Sequence, residues 1–293
     1  MLSALPFLAC KITERRPVAI PPGFDWQGHR GCRGLLPENT ISAFIHALGF
    51  PQVSTLELDL AVSKDNQLIV SHDPFFNHEI CLQPGGLPIG VEAEGKFLIY
   101  QMTAAEIRDF DCGSIGNPRF PLQQKQKAYK PTLQEVVAAV RAIRPDIRWN
   151  LEIKSRANWD NLRHPAIQEF AGLVIAEMRT LGIEKQATVQ SFDVRALQAM
   201  HLQAPDIQLA YLIENEESFE SNMARLNFTP AIYSPYYLTV TKKLVQACHT
   251  KKMRMIPWTV NDVPAMRRLI RLGVDGIITD YPDKIREVGK LSN

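Results

Sequence analysis

Apolar and polar positions along this chain switch repeatedly between two periods. Over residues 54–61, Leu56, Leu58 and Leu60 alternate with Glu57 and Asp59, so an extended strand there is aliphatic on one side and acidic on the other. Just before it, Ile41, Phe44, Ile45 and Leu48 recur at i, i+3, i+4 and i+7. That spacing predicts a helix, with Asn39 placed to cap it and Gly49 to end it. A strand over 24–29 precedes the helix, and a hairpin partner over 67–71 follows a Lys64-Asp65-Asn66 turn. From 73 to about 130 proline and glycine break both periods, in Gln83-Pro84-Gly85-Gly86 and again in 113–121. So long an irregular stretch predicts a functional insertion. The rhythm resumes at Thr132-Leu133-Gln134-Glu135, a capping box that opens a helix with Leu133, Val136, Val137 and Val140 on one face.

Further strands are predicted over 148–153, 187–192, 207–213, 231–234, 254–258 and 276–279, with helices over 166–181, 194–202, 216–226, 239–250 and 263–272. Setting the hairpin partner aside, eight strands are each followed by a helix, the rhythm of an α/β (β/α)8 TIM barrel with an insertion after strand two. The expected division is an N-terminal arm over 1–22 and the barrel over 23–293, carrying the insertion at about 73–130. A doubly wound open sheet is the structural alternative. It calls for a glycine-rich first turn, and His29-Arg30-Gly31-Cys32-Arg33-Gly34 follows a strand without the dinucleotide spacing.

Composition narrows the picture only slightly. The 293 residues suffice for one large α/β domain, and 45% hydrophobic with 22% charged residues is ordinary for a soluble globular chain. A net charge of +2 predicts neither a nucleic-acid nor a membrane-surface partner. No apolar run approaches the roughly 20 residues of a bilayer span, so no integral membrane segment is expected. Residues 1–10 end in Phe7-Leu8-Ala9-Cys10, which is similar to a bacterial lipoprotein cleavage site but lacks a cationic start and is short. The expectation is a cytoplasmic protein as the sequence stands, and a periplasmic or lipid-anchored one if its start is truncated. The five cysteines, Cys10, Cys32, Cys81, Cys112 and Cys248, form no CxxC pair and are expected as free thiols, with Cys32 a small packed residue.

Barrel enzymes gather their chemistry at the C-terminal ends of the strands. There the pattern places His29 and Arg30 after strand one, Glu57 and Asp59 on strand two, and Glu152 and Lys154 after strand three. Carboxylates side by side repel, and a bound cation or a shared proton relieves them. No partner for Glu57 and Asp59 stands out along the chain, so the pair asks for a metal. Three carboxylates make an oxygen cage suited to Mg²⁺ or Ca²⁺. Arg30 and Lys154 would attract an anion bridged to it, and His29 and His72 could move protons on either side of a scissile bond. Metal-assisted cleavage of a phosphate ester fits these residue types. Phe192 and Trp258 read equally as pocket lining or core. His46, His164, His201 and His249 are expected at the surface, and His78-Glu79 could support His72.

The same residues resemble the ordered motifs of the glycerophosphodiester phosphodiesterase family. They are His29-Arg30-Gly31 with Pro37-Glu38-Asn39-Thr40, Glu57-Leu58-Asp59, His72-Asp73, Leu151-Glu152-Ile153-Lys154, Gln190-Ser191-Phe192, Trp258-Thr259-Val260-Asn261 and Thr279-Asp280, spanning about 24–283. The resemblance implies that Glu57, Asp59 and Glu152 bind one divalent cation and that His29 and His72 are the acid/base pair. Arg30 and Lys154 would hold the phosphate, and the insertion would cap the mouth. The substrate would be a small glycerophosphodiester, giving glycerol 3-phosphate and an alcohol. One route runs through attack of the neighbouring glycerol hydroxyl and hydrolysis of the cyclic product. The competing readings are a lysophospholipase D or phosphoinositide-type phospholipase, which needs an apolar groove near Phe75, Phe76, Leu82, Leu87 and Ile89, and a barrel that binds phosphodiesters without cutting them.

Overall fold

The computed structural model describes residues 18–289. Residues 1–17 of the expected arm, with Cys10 and the lipoprotein-like run, lie outside the described residues. In chain order the elements are β1 (Asp25–Gly28), α1 (Ile41–Leu48), β2 (Val53–Val62), β3 (Leu68–Val70), α2 (Ala104–Arg108), α3 (Leu133–Arg141), β4 (Arg148–Ile153) and α4 (Ile167–Leu181). They continue as β5 (Ala187–Ser191), α5 (Val194–Gln203), β6 (Gln208–Ile213), α6 (Phe219–Ala224), β7 (Ile232–Pro235), α7 (Lys242–Thr250), β8 (Arg254–Met255), α8 (Val263–Leu272), β9 (Gly276–Thr279) and α9 (Ile285–Val288).

Parallel pairing runs in the order β8-β7-β6-β5-β4-β2-β1-β9, and β3 pairs antiparallel with β2 outside that path. The gap between β8 and β9 is bridged by backbone hydrogen bonds, from Asp275 N–H to Met255 O at 2.8 Å and from Ile278 N–H to Pro257 O at 3.0 Å. The result is a nearly closed eight-stranded (β/α)8 barrel, as the alternation predicted. Leu56, Leu58 and Leu60 face outward, fully buried in the main core with Phe44, Val136 and Val140 of the surrounding helices. The acidic side of β2 therefore faces the barrel interior, in register with β4: Glu57 opposite Asn150 and Asp59 opposite Glu152.

The interior is divided. On one side Ala210, Ile232, Ile256 and Ile278 form a small apolar cluster. On the other a chain of hydrogen bonds runs through buried polar side chains. Gln190 donates to Glu57, Asn150 donates to both Gln190 (2.9 Å) and Gln27 (2.7 Å), and Gln27 donates to Asp25. At the N-terminal end of the barrel Asp25 also accepts from Ser54, Thr55 and Arg148. Each of these side chains makes at least one hydrogen bond, which removes most of the penalty for placing it there, and Asn150 Oδ1 is the one oxygen of the run left buried without a partner.

Several boundaries shift for local reasons. Thr40, not Asn39, caps α1, accepting the Ala43 N–H, while Asn39 adopts a left-handed φ of 57° and turns away. The strand expected over 254–258 is regular only for Arg254–Met255, because Pro257 has no N–H to give to a ladder. Ser218 and Thr241 are the caps of α6 and α7, which trims the predicted helices at their N-termini. The expected capping box at Thr132 and Glu135 is present. His164 is buried, not on the surface: Arg156 N–H donates to its Nε2, and its Nδ1 lies 2.7 Å from Pro165 O, so it stitches the turn before α4.

The segment between β3 and α3 builds its own small core from Phe76, Ile80, Ile89, Ile99, Ile107 and Phe110, with Phe76 stacked on Phe110 at 3.7 Å. Phe76 and Ile89 are therefore interior and line no groove. Two of the five cysteines depart from the expected free thiols. Cys81 and Cys112 form a disulfide inside this core, while Cys32 and Cys248 are free and buried. The pairing follows from reciprocal backbone hydrogen bonds between Leu82 and Asp111, which bring together cysteines 31 residues apart in sequence. A cross-link of this length stabilises mainly by restricting the unfolded chain. Replacing both residues by serine is expected to lower the unfolding free energy by about 2–4 kcal/mol in urea titrations. A non-reduced peptide map should show the 81–112 cross-link in the parent protein.

Candidate active site

The loop after β1 sets the geometry. Arg30 and Gly31 both adopt left-handed backbone, with φ of 50° and 83°. A Cβ on Gly31 would lie 2.7 Å from Ala43 C and 2.8 Å from Phe44 N, so only glycine lets the loop lie against the start of α1. This tight turn aims the Arg30 N–H at Glu57 Oε2 (2.9 Å) and brings its guanidinium to Glu38 Oε1 (2.6 Å) and Asp59 Oδ2 (3.1 Å).

Glu57, Asp59 and Glu152 are all buried, and one carboxylate oxygen from each lies within 4.8 Å of the others. The pair on β2 is not without partners, as the sequence suggested. Asn39 donates to Asp59 at 2.8 Å, and Lys154 sits 2.8 Å from Glu152 and 3.7 Å from Asp59. These partners are distributed unevenly. Burial and the neighbouring Asp59 and Glu152 charges push the Glu57 carboxyl well above its usual range. Burial also raises Glu152, to about 7, against the pull of Lys154. Asp59 moves the other way: burial is overcome by Arg30, then His72 and Lys154, which hold it well below the usual carboxylate range. Asp59 Oδ1 is buried without a hydrogen bond. An oxygen-only donor set, one orphaned oxygen and two carboxyls that resist ionisation together fit a hard divalent cation.

The two histidines are oriented alike. His29 Nδ1 is 2.6 Å from Asp280 Oδ1, and His72 Nδ1 is 2.9 Å from Asp73 Oδ1. His29 Nε2 lies 3.8 Å from Glu57 Oε2. Burial lowers His29 to about 4 despite Asp280, so the ring is neutral near pH 7. Asp280 also accepts from Arg33 and Asn261, and burial is outweighed there by His29 and Arg33, which keep it ionised. Buried Lys130 donates to Ser71 beside this group, and its burial lowers its basicity.

His29, Arg30, Glu57, His72, Glu152, Lys154, Phe192 and Trp258 all line one cavity of about 970 Å³ at the C-terminal end of the barrel. Asp59 lies behind its wall, within the carboxylate cluster. Arg119 and Phe120 bring the insertion to the same cavity. His78 pairs with Glu94 inside the insertion, not with His72. Sequence reasoning gave no part in the site's chemistry to Asp280, Asn39, Glu38, Gln190 or Lys130, and read Asn39 only as a helix cap. The first four sit in the quoted motifs, and Asp280 was within reach of inference because β9 neighbours β1 and His29 N–H donates to Thr279 O.

Fold and site together define a TIM-barrel enzyme with an acidic, metal-competent cluster at its mouth. Residues 29–284 match the model of the Glycerophosphoryl diester phosphodiesterase family, and the chain belongs to that family of phosphodiester hydrolases. A glycerophosphodiester phosphodiesterase of Bacillus altitudinis is 31% identical over 266 residues, 88% of this chain and 96% of its own. One from Caldanaerobacter subterraneus subsp. tengcongensis is 28% identical over 257 residues, covering 88% and 94%. A crystal structure of a Silicibacter pomeroyi DSS-3 protein given the same family name superimposes with a TM-score of 0.81 at 29% identity, covering 94% of each chain.

Two expectations follow from the site. Because Glu152 holds its proton up to about 7, a raised carboxyl favours the cation-free fold below its unfolded value and loses that advantage as pH rises. The gain in thermal stability on adding millimolar Mg²⁺ or Ca²⁺ should therefore be larger above pH 7 than below it, as read by calorimetry. Gly31→Ala should cost about 1–3 kcal/mol of stability through backbone strain, measured by denaturant unfolding.

Proposed function

We propose that the chain hydrolyses glycerophosphodiesters to glycerol 3-phosphate and an alcohol, with His29 and His72 as the proton-transferring pair and Glu57, Asp59 and Glu152 as ligands of one divalent cation, Mg²⁺ or Ca²⁺. The observation that carries this reading is the convergence on one cavity of two imidazoles, each oriented by its own carboxylate, beside a buried three-carboxylate cluster.

Asp280 takes the Nδ1–H of His29, and Asp73 that of His72, so each ring keeps a free Nε2. One Nε2 accepts the proton of the glycerol hydroxyl next to the phosphoester, and that oxygen attacks phosphorus. The other ring, protonated, gives its proton to the departing alkoxide. A water molecule then opens the cyclic diester with the two rings in exchanged roles. The attacking hydroxyl is already part of the substrate, so the step is intramolecular. Arg30 presents a planar fork and Lys154 a point charge to the phosphate oxygens. A bound cation would polarise the phosphoryl oxygens and offset the charge that develops on them.

The lipid-cleaving alternative calls for an apolar groove in the insertion; Phe76 and Ile89 are buried in its core, which favours the smaller substrates, while Phe75 and Leu82 are partly exposed and Leu87 is exposed. Glycerophosphocholine and glycerophosphoglycerol should be hydrolysed, with activity lost on chelation and restored by Mg²⁺ or Ca²⁺. Full turnover in chelator would overturn the metal assignment. His29→Ala and His72→Ala are each expected to lower kcat by about 10²–10⁴-fold with the far-ultraviolet dichroism unchanged. Asp280→Asn should lower kcat by at least about tenfold and alter the pH profile, since it changes the proton on His29 Nδ1 without altering the shape of the site.

A further inference from the structure

The carboxylates that orient the two histidines are themselves held in similar ways. Asp280, 2.6 Å from His29 Nδ1, accepts from the Arg33 guanidinium at 2.9 Å and from Asn261 at 2.7 Å. Asp73, 2.9 Å from His72 Nδ1, accepts from Asn77 at 3.1 Å. An amide therefore fixes each carboxylate, and at Asp280 a cation does so as well. The cation on the His72 side is Lys130, and it acts at one remove. Its Nζ donates to Ser71 Oγ at 2.8 Å, and that hydroxyl donates to the backbone oxygen of Asp73 at 2.7 Å. A hydroxyl has one proton to give, so accepting from Lys130 commits the Ser71 proton to Asp73 O. The result is a clasp that spans His72 from the residue before it to the residue after it.

The neighbouring backbone delivers Lys130 to this place. Val70 N–H donates to Pro131 O, and Ile69 bridges Thr132, so residues 130–132 run along β3 to the point where the strand ends. Past Val70, the fully buried Ser71 gives its N–H to Asp59 O, and His72 then leaves for the cavity. Lys130 comes from the far end of the insertion, yet it meets the chain exactly where the histidine emerges.

Packing alone does not call for a lysine here. Burying an ammonium carries a desolvation penalty that one hydroxyl does not offset. Among the described residues Lys130 makes no ion pair, and Ser71 Oγ is the one hydrogen-bond partner of its Nζ. The Phe76 ring, with its centroid 5.6 Å from Nζ, answers part of the penalty through its face, but an aliphatic side chain would fill the same space beside it. What the ammonium adds is felt at Asp73. There burial is outweighed by His72, Asn77 and Lys130, which hold the carboxyl well below its usual range.

We propose that Lys130 is a positioning residue for the reaction: by holding Ser71 it fixes the backbone on both sides of His72 and keeps the ring turned with Nε2 toward the scissile bond. This rests on the hydrolase reading above, with His72 in its proton-transferring role. The test compares the parent enzyme with Lys130→Met, Ser71→Ala and the double variant. It measures kcat and KM for glycerophosphocholine and glycerophosphoglycerol, the melting temperature, and the His72 imidazole signals in nuclear magnetic resonance spectra, identified by their loss in His72→Ala. Methionine keeps an unbranched stem and removes the buried cation, and Ser71 retains its bond to Asp73, so Lys130→Met should melt no lower than the parent. Its kcat should nonetheless fall about tenfold or more with KM changed less than about twofold, and its His72 signals should shift. Lys130 and Ser71 act through one hydrogen bond, so the double variant should lose no more than the larger of the two single losses. An unchanged kcat in Lys130→Met, a melting temperature that falls along with kcat, single losses that multiply, or unmoved His72 signals would each overturn the positioning role while leaving the hydrolase reading intact. If the parent cleaves neither diester, the hydrolase reading fails and the spectra decide whether Lys130 positions His72: signals shifted in both single variants support it, and signals unmoved in either overturn it.

Discussion

Three carboxylates packed within 4.8 Å of one another inside a barrel are the charge arrangement around which the mouth is built. Each buried ion carries a desolvation penalty of several kcal/mol, and like charges at this range add to it. The Arg30 guanidinium, Lys154 and Asn39 answer part of that demand at Asp59 or Glu152, and the Arg30 N–H and Gln190 donate to Glu57. The remainder is visible in the upward pressure on Glu57 and Glu152 and in the orphaned Asp59 Oδ1. The left-handed turn at Arg30-Gly31 serves the same end, because it is the conformation that delivers a backbone N–H to Glu57 and a guanidinium to Asp59 at once.

The divided barrel interior extends this logic downward. Under the carboxylates, Gln190, Asn150 and Gln27 carry hydrogen bonds down to Asp25. Across from them, Ala210, Ile232, Ile256 and Ile278 fill the barrel with apolar volume. The polar side is preorganised, since each amide is fixed by its neighbours and little reorganisation is left for a substrate to drive. The apolar side supports Trp258 above it. The insertion closes the third side, its disulfide-linked core presenting Arg119 and Phe120 while Gln123 donates to the carbonyls of Arg33 and Leu36.

Much of this was legible in the sequence because it depends on local periodicity. The alternation around Glu57 and Asp59, the spacing in Ile41 to Leu48 and the capping box at Thr132 each report a single element, and each element formed, with Phe44 and Leu48 of the predicted helix face buried and Ile45 exposed. The acidic and basic residues at strand ends were likewise readable, because a (β/α)8 barrel carries every C-terminal strand end to one mouth. The errors have a common cause. Asn39 looked like a cap until its side chain was drawn to Asp59, His164 looked exposed until Arg156 and Pro165 enclosed it, and the cysteines looked unpaired until Leu82 met Asp111.

The sequence by itself determined the barrel, the face of each strand and the residue types that reach the mouth, since these follow from steps of two and of 3.6 residues along the chain. Tertiary structure alone decided which charges pair. Asp280 reaches His29 across 251 positions, Gln190 reaches Glu57 across 133, and Cys81 joins Cys112. The physical reason is that side-chain hydrogen bonds and ion pairs act over a few ångströms in space, and barrel closure and the fold of the insertion fix which distant residues come that near.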